Sequence, residues 1–462
     1  MTTLCCPPRA NLPPAGYQAC VGRYADARTS GGRVRANRGR RRLLSAAVGA
    51  TLTVPFAGTA AAGPPAPVET ASVVSDWNAI AVATLIGDAG KAPQEGFLYL
   101  GFLHAAIYDA VVGVQGRYEP YRFDGRAPHG TSATAAAAAA GHKILETYSP
   151  YAQLALDADL ARSLATIPDG TAKTNGVAFG ERVAQHLIDL RANDGRNAPV
   201  QYNKLPAPGV WRPTPPAFAP MAVPWLGGVT PLLVRNAMQF APPPPPALTS
   251  SRYTRDFAEV KALGSAASTA RTADQTATAL FFSGNAFVQF NTAMRDQAAT
   301  RALDIADAAR MFAAVTMTVS DALITTWQAK LGYGIWRPIT AIQLADTDGN
   351  RATVADAAWT PLLVTPPYPD YVSGYNAVAA SASRALESLF GPGRLDLTLI
   401  STAVPGAVRH YDSGGALRTD VVDARISLGI HFRFADTAAR TLGVDLADWT
   451  LDHYFQPARS HH

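Results

Sequence analysis

The chain has 462 residues, 48% hydrophobic and 16% charged, with a formal net charge of +5 and three cysteines. This composition excludes a disordered chain and a disulfide-stapled miniprotein, and the length allows two or three domains or one large one. The positive total would ordinarily raise nucleic acid or an anionic membrane as partners, but its distribution removes that inference.

Residues 1–62 hold nine arginines (9, 23, 28, 33, 35, 38, 40, 41 and 42), no lysine and one acid, Asp26. Of the chain's 40 bases and 35 acids, 31 and 34 are left for residues 63–462, a body near −3 with no expected affinity for nucleic acid. Cys5, Cys6 and Cys20 also lie in this leader, so the body is free of cysteine. Arg40-Arg41-Arg42-Leu43-Leu44 opens an uncharged run from Leu43 to Ala62 that ends in Ala60-Ala61-Ala62-Gly63. A basic region, an apolar stretch and a small-residue end make an export signal. The paired arginines resemble a twin-arginine signal. Residues 1–33 are longer than such a signal needs and are read as the product of an upstream start codon. Pro55 and the small residues make the run a poor permanent span. The mature protein is therefore expected to begin near Gly63, exported to the cell envelope or beyond. No later stretch offers 18 uninterrupted apolar residues, so no membrane span is expected in the mature form.

Helical periodicity dominates the body, over 75–115, 130–148, 151–168, 171–194, 252–263, 272–296, 301–331, 374–390 and 416–443. Period-two alternation is scarce, and the fold class is all-α, built of helical bundles. Residues 63–250 form an N-terminal helical region with a proline-rich loop at 196–249. Residues 251–462 form a C-terminal bundle. The loop contains Trp211-Arg212-Pro213 and Pro242 to Pro246. Five consecutive prolines cannot join a helix interior or a central strand, so the loop is expected to wrap the surface. The run Ala135 to Ala140 is helical by propensity. In 311–331, Phe312, Val315, Val319, Leu323 and Trp327 make one apolar stripe, with Lys330 in the last turn before Gly332 and Gly334. In 375–390, Asn376 is the expected N-cap and Gly391-Pro392 ends the helix.

Three C-terminal segments concentrate polar groups on this apolar frame. They are Trp327 to Pro338 with Lys330 and Arg337, Tyr368 to Asn376 with Ser373, Gly374 and Tyr375, and Arg425 to Asp436 with His431. Fixed cations, a hydroxyl and glycine amide at a helix start, and an imidazole suit a tetrahedral oxyanion. No H-E-x-x-H, paired carboxylate cluster or body cysteine supports zinc, and no phosphate-binding glycine loop supports a nucleotide.

The ordered motifs K-x6-R-P, S-G-x and R-x5-H resemble the vanadium-dependent haloperoxidase and type 2 phosphatidic-acid phosphatase superfamily. Trp211 to Pro216, Leu103 to Ala110 with His104 and Asp109, and Arg409 to Ser413 extend the resemblance to its secreted bacterial haloperoxidase-like branch, over roughly 75–455. The resemblance implies helical bundles of the haloperoxidase and acid phosphatase type, and vanadate as cofactor, with phosphate competing for the site. It implies that Lys330, Arg337 and Arg425 bind equatorial oxygens and that Ser373 and the Gly374 amide add hydrogen bonds. His431 would be the axial vanadium ligand, or the nucleophile of a phosphatase. Trp327 and Tyr368 match halide-pocket positions. The substrates would be hydrogen peroxide and halide, with Lys330 polarising the bound peroxide, or else a phosphate ester. A homo-oligomer is compatible with the sequence.

Two positions depart from the pattern. Tyr375 stands where the acid/base histidine is expected, and a phenol with a pKa near 10 is a poor proton shuttle at neutral pH. Ala435 stands where the phosphatase form carries an aspartate, and Asp436, five residues after His431 on one helix, points elsewhere. The leading expectation is halide oxidation with vanadate. The alternatives are a phosphomonoester phosphatase and an oxyanion-binding homologue impaired at Tyr375. Arg433 is expected in a salt bridge, His104 and Asp109 in structural roles, and His410 in a loop with nothing to place it at the site.

Overall fold

The computed structural model describes Glu69 and residues 71–459. The arginine-rich leader, its cysteines and its cleavage pattern lie outside the described residues. Among those described, the chain forms thirteen α-helices and one short hairpin, as the all-α expectation requires. The described residues form one compact unit.

Helix α1 (Ser72–Val82) runs into a π turn (Ala83–Asp88), and α2 spans Pro93–Gln115. The expected helix over 75–115 is thus broken, at Gly90 and at Pro93, whose ring occupies a first-turn position. α3 (Ala133–Tyr148), α4 (Gln153–Ala165) and α5 (Thr171–Leu190) follow. After the long loop come α6 (Ser251–Leu263), α7 (Ala273–Phe281), α8 (Ala286–Thr300), α9 (Ile305–Tyr333) and α10 (Pro338–Gln343). The expected helix 272–296 is also split, because Asn285 caps a new helix by accepting from the Phe287 amide at 2.9 Å. The last elements are α11 (Gly374–Phe390), the hairpin β1 (Leu397–Ile400) with β2 (Val408–Tyr411), α12 (Gly414–Ser427) and α13 (Arg433–His453). Ser373, not Asn376, is the N-cap residue of α11.

The largest correction concerns 416–443. This stretch is two helices, broken at 428–432, where Gly429 adopts φ 77°, a backbone state that only glycine enters without cost. His431 therefore sits in a turn between helices, and rotations counted along one continuous helix do not apply to it.

The central helix is α9. It packs against α2 on one side and α11 on another, and α11 in turn packs against α13. Helices from both sides of residue 250 share this core. By length and composition α2 could cross a membrane, yet 94% of its most apolar window is buried inside the protein. The alanine run of α3 is a packing surface. Ala135 to Ala140 are fully buried, and α5 approaches so closely that a Cβ at Gly180 would lie 2.2 Å from the Ala136 carbonyl oxygen.

The proline-rich loop is ordered and is pinned by a buried carboxylate. Asp321 of α9 accepts the amides of Leu232, Leu233 and Val234 at 2.7, 2.8 and 3.0 Å. Asp109 of α2 does the same for Tyr121, Arg122 and Phe123, which confirms its structural role. Burial lifts both carboxyls to about 6, although the amides oppose it. A carboxyl whose folded pKa is raised holds its proton more tightly when folded. Its stabilising contribution is complete at low pH and is lost as pH rises from about 4 to about 6. Each shift of roughly two units corresponds to on the order of 3 kcal/mol. Asp321→Asn is expected to flatten the fall in stability between pH 4 and pH 6.5, measured by urea denaturation. An unaltered pH profile would mean that Asp321 titrates as in the unfolded chain.

Candidate functional site

Lys330 occupies the last turn of α9, as its sequence position implies, and is completely buried. Its Nζ donates to the carbonyls of Pro369 at 2.6 Å and Asp370 at 3.0 Å. Arg337, also fully buried, precedes Pro338 at the start of α10. Its Nε donates to the Tyr368 carbonyl and its Nη1 to the Ile430 carbonyl, both at 2.7 Å. The same Nη1 lies 3.2 Å from His431 Nε2. Arg425 ends α12, and its Nη1 donates to the Phe282 carbonyl at 3.0 Å. Two guanidinium nitrogens in this group, Arg337 Nη2 and Arg425 Nε, are buried without a hydrogen-bond partner.

The proline-rich loop shapes this corner. Trp211 donates its amide to the Gly334 carbonyl, and the Trp336 amide donates to Gly209, so the loop brackets the turn between Lys330 and Arg337. Trp327 donates its indole N–H to the Ala222 carbonyl at 3.1 Å and packs against Tyr368, with ring centroids 5.1 Å apart. Tyr368 faces both cations, with Lys330 Nζ 4.9 Å and the Arg337 guanidinium 4.8 Å from its ring centre. A pocket of about 410 Å³ opens beside them, with Trp327, Tyr368, Gly374, Tyr375 and Arg425 among its walls.

Gly374 is the first residue of α11, where the N–H has no intrahelical partner. The Ser373 amide is already given to the Ala435 carbonyl at 3.2 Å, and its hydroxyl oxygen lies 3.3 Å from Asn376 Nδ2. Asn376 also donates to Asp436 at 2.8 Å. Asp436 thus belongs to a Ser373–Asn376 group rather than to His431. Tyr375 points its hydroxyl away into α8, donating to Gln289 Oε1 at 2.5 Å, and lays its ring 4.9 Å from the Arg425 guanidinium. Burial pushes this phenol above its ordinary value.

Burial, then the neighbouring Arg337, lowers Lys330 well below the usual lysine range, with Asp370 and Asp436 opposing. His431 is lowered well below the usual imidazole range by burial and by Arg337, Lys330 and Arg425. Burial also lowers both Arg337 and Arg425. Four buried bases thus compete for charge beside two buried carboxyls. Such a site gains most from an anion with several oxygens, which would restore the charged form of each base.

Comparison with known proteins finds relatives for this stretch of chain. The model of the VCPO second helical-bundle domain matches residues 310–460, the stretch that supplies Lys330, Arg337, Ser373, Arg425 and His431. Vanadium chloroperoxidase of Curvularia inaequalis is 25% identical over 492 aligned positions, covering 79% of each chain. Residues 310–460 are thus similar to the second helical bundle of that family, and the chain as a whole to vanadium chloroperoxidase at 25% identity. Solved structures share its fold. One described as the first bacterial vanadium-dependent iodoperoxidase superposes with a TM-score of 0.71 at 22% identity, covering 86% of this chain and 99% of the other. A holo-type bacterial vanadium-dependent chloroperoxidase superposes with a TM-score of 0.63 at 17% identity, covering 80% of this chain and 93% of the other.

One buried residue was missed from the sequence. Asp370 Oδ1 lies 2.7 Å from His431 Nδ1 and 3.7 Å from Arg337 Nη1, and Asp370 and Arg337 are completely buried. Burial pushes this carboxyl up to about 7 against the pull of Arg337 and Lys330. The only sequence signal was a charged residue inside the otherwise neutral run Tyr368 to Asn376. The remaining expectations sort cleanly. Arg433 is paired with Glu259 and Asp423 at 2.8 Å each. His104 is buried between Asn78 and Phe312, in a structural place. His410 stands on β2 rather than in a loop, half exposed beside Asp412, and does not line the pocket.

Proposed function

We propose that the protein is a vanadate-dependent peroxidase that uses hydrogen peroxide to oxidise halide. The observation that carries this reading is the buried excess of positive charge at Lys330, Arg337 and Arg425, with Arg337 Nη2 and Arg425 Nε left as free donors. The donors are N–H groups, which suits the oxygens of tetrahedral vanadate. Among the described residues no cluster of His, Cys, Asp or Glu has the form of a cation site. Lys330, Arg337, Arg425 and the Gly374 amide would hold the oxygens, and His431 would ligate the central atom. Ser373 would contribute its hydroxyl by leaving Asn376. When bound, vanadate supplies the centre at which peroxide is activated for halide oxidation. The protein's own part is to neutralise that anion, exclude water through Trp327 and Tyr368, and donate from Lys330.

A second reading, an oxyanion-binding homologue of low turnover, is favoured by one specific observation. Tyr375 is buried, its acidity is suppressed, and its hydroxyl is tied to Gln289. Phosphatase chemistry would use the same cradle with His431 as nucleophile. The three readings separate in one experiment. Protein loaded with orthovanadate is expected to oxidise bromide or iodide only in the presence of peroxide, and phosphate is expected to inhibit. Bound vanadate without halide oxidation would overturn the peroxidase reading. Hydrolysis of p-nitrophenyl phosphate by vanadate-free protein would favour the phosphatase.

We also propose export through the leader, supported by Arg40 to Leu44 and the Ala60-Ala61-Ala62 end of the apolar run. Mass spectrometry of protein from the culture medium or cell envelope is expected to find an N-terminus near Gly63. A cytoplasmic, full-length chain would contradict export.

A further inference from the structure

We infer that the pocket beside the cation cradle is the site of an organic substrate, a phenol whose hydroxyl meets Gln94 and whose ring lies against Trp327. Halogenation there rests on the peroxidase reading above, whereas binding there does not. The cavity of about 410 Å³ has the size of a small-molecule site and is far larger than a halide needs. Its walls are mostly apolar, with Phe97, Leu323, Trp327, Tyr368 and Val378 among them, and no acidic residue lines it. Trp327 is fixed in place by its indole bond to the Ala222 carbonyl at 3.1 Å and by its packing on Tyr368, so an aromatic wall stands ready for a ring.

Gln94 supplies the polar end. It is the second residue of α2, whose first residue is Pro93 and whose N-terminus no side chain caps. First-turn N–H groups have no intrahelical partner. Gln94 is only 8% exposed, yet among the described residues its side chain makes no hydrogen bond. A buried polar group without a partner is costly and calls for one. Ser283, Asn285 and Tyr375, also on the walls, already bond to the protein. A primary amide both donates and accepts, which matches a hydroxyl group, whereas a halide only accepts. The pocket thus runs from an uncommitted amide on α2 to the cradle residues Gly374 and Arg425 on α11 and α12.

A ring held there is next to the place where halide would be oxidised. In balance, halide, hydrogen peroxide, the phenol and one proton give the halophenol and two waters. The peroxide O–O bond is reduced by the two electrons that halide gives up. A ring C–H bond breaks as the carbon–halogen bond forms, and the ring proton supplies one of the two that the peroxide oxygens take up as water.

The test uses full-length protein, first without vanadate, titrated calorimetrically with 4-methylphenol and with toluene. The phenol is expected to bind about tenfold tighter than toluene. Gln94→Leu, close in size and unable to hydrogen-bond, is expected to weaken 4-methylphenol by about tenfold and to leave toluene within about twofold. No binding of 4-methylphenol, equal affinity for toluene, or an unaffected Gln94→Leu overturns the inference. Vanadate-loaded protein is then given peroxide, bromide and a mixture of 4-methylphenol with 4-tritylphenol, which is too large for the pocket. Relative to free hypobromous acid, bromination is expected to shift toward 4-methylphenol by about tenfold. A ratio equal to that of the free oxidant overturns halogenation in the pocket. Protein that binds 4-methylphenol as expected but brominates neither phenol keeps the pocket and overturns the peroxidase reading instead.

Discussion

Arg337→Ala is expected to weaken orthovanadate binding by about 10²- to 10³-fold. The unpartnered Nη2 is the donor aimed at the anion, and Nη1 is shared between the Ile430 carbonyl and His431. A charge-assisted hydrogen bond is worth about 1.5–3 kcal/mol, and the two N–H groups of Nη2 together give roughly 3–4 kcal/mol. At about 1.4 kcal/mol per tenfold, that is the stated loss. Folding responds in two directions. The variant leaves the Tyr368 and Ile430 carbonyls and Asp370 without a cation, which costs on the order of 2–4 kcal/mol. It also relieves repulsion among four buried bases, which offsets part of that cost. Arg337→Lys keeps a charge but loses the fork, and an intermediate affinity is expected. Calorimetric titration of vanadate, with circular dichroism of each variant, separates lost binding from lost fold. Wild-type affinity in folded Arg337→Ala would remove this arginine from the cradle.

Tyr375→His is expected to raise halide oxidation by about 10²- to 10⁴-fold while leaving vanadate affinity nearly unchanged. The phenol is held above its ordinary pKa by burial and donates its proton to Gln289, so it neither accepts nor releases a proton near neutral pH. A histidine there would titrate close to neutrality and sit beside Arg425 at the pocket wall. Affinity is spared because the Tyr375 hydroxyl is turned to α8 and supplies nothing to the cradle. The gain should appear in kcat and carry a new inflection between about pH 5 and pH 8, whereas a structural repair would shift both constants without one. Unchanged turnover would mean that another group already handles the proton.

The parts of this site that were legible in the sequence were those fixed by local spacing. Lys330 had to fall in the last turn of α9 because an apolar stripe ran up to it and Gly334 stopped it. Arg337 had to open a helix because Pro338 follows. The cations and the imidazole announced an anion by type alone. The parts that were not legible depend on tertiary placement or on a single backbone angle. The positive φ of Gly429 breaks what reads as one helix, and so decides where His431 lies. The segment Tyr368 to Val372 has no periodicity to orient Asp370, which meets His431 only when α11, α12 and α13 pack. Gln289 carries no sign that it will hold Tyr375, because it comes from a helix that sequence periodicity merged with its neighbour. The proline-rich loop was expected to wrap the surface. Its role in bracketing the Lys330–Arg337 turn follows from backbone bonds at Gly209 and Trp211, and its anchoring at Leu232 to Val234 from Asp321, a buried charge that periodicity alone counts as an error in an apolar helix.

The central claim is that three buried bases and His431 form one oxyanion cradle. A crystal structure of the protein with orthovanadate measures it most directly. The expected result is one anion per chain, bonded at His431, with Arg337 Nη2 and Arg425 Nε turned to its oxygens. An anion bound elsewhere, or a cradle whose two guanidinium nitrogens remain unpartnered at saturating vanadate, would contradict it.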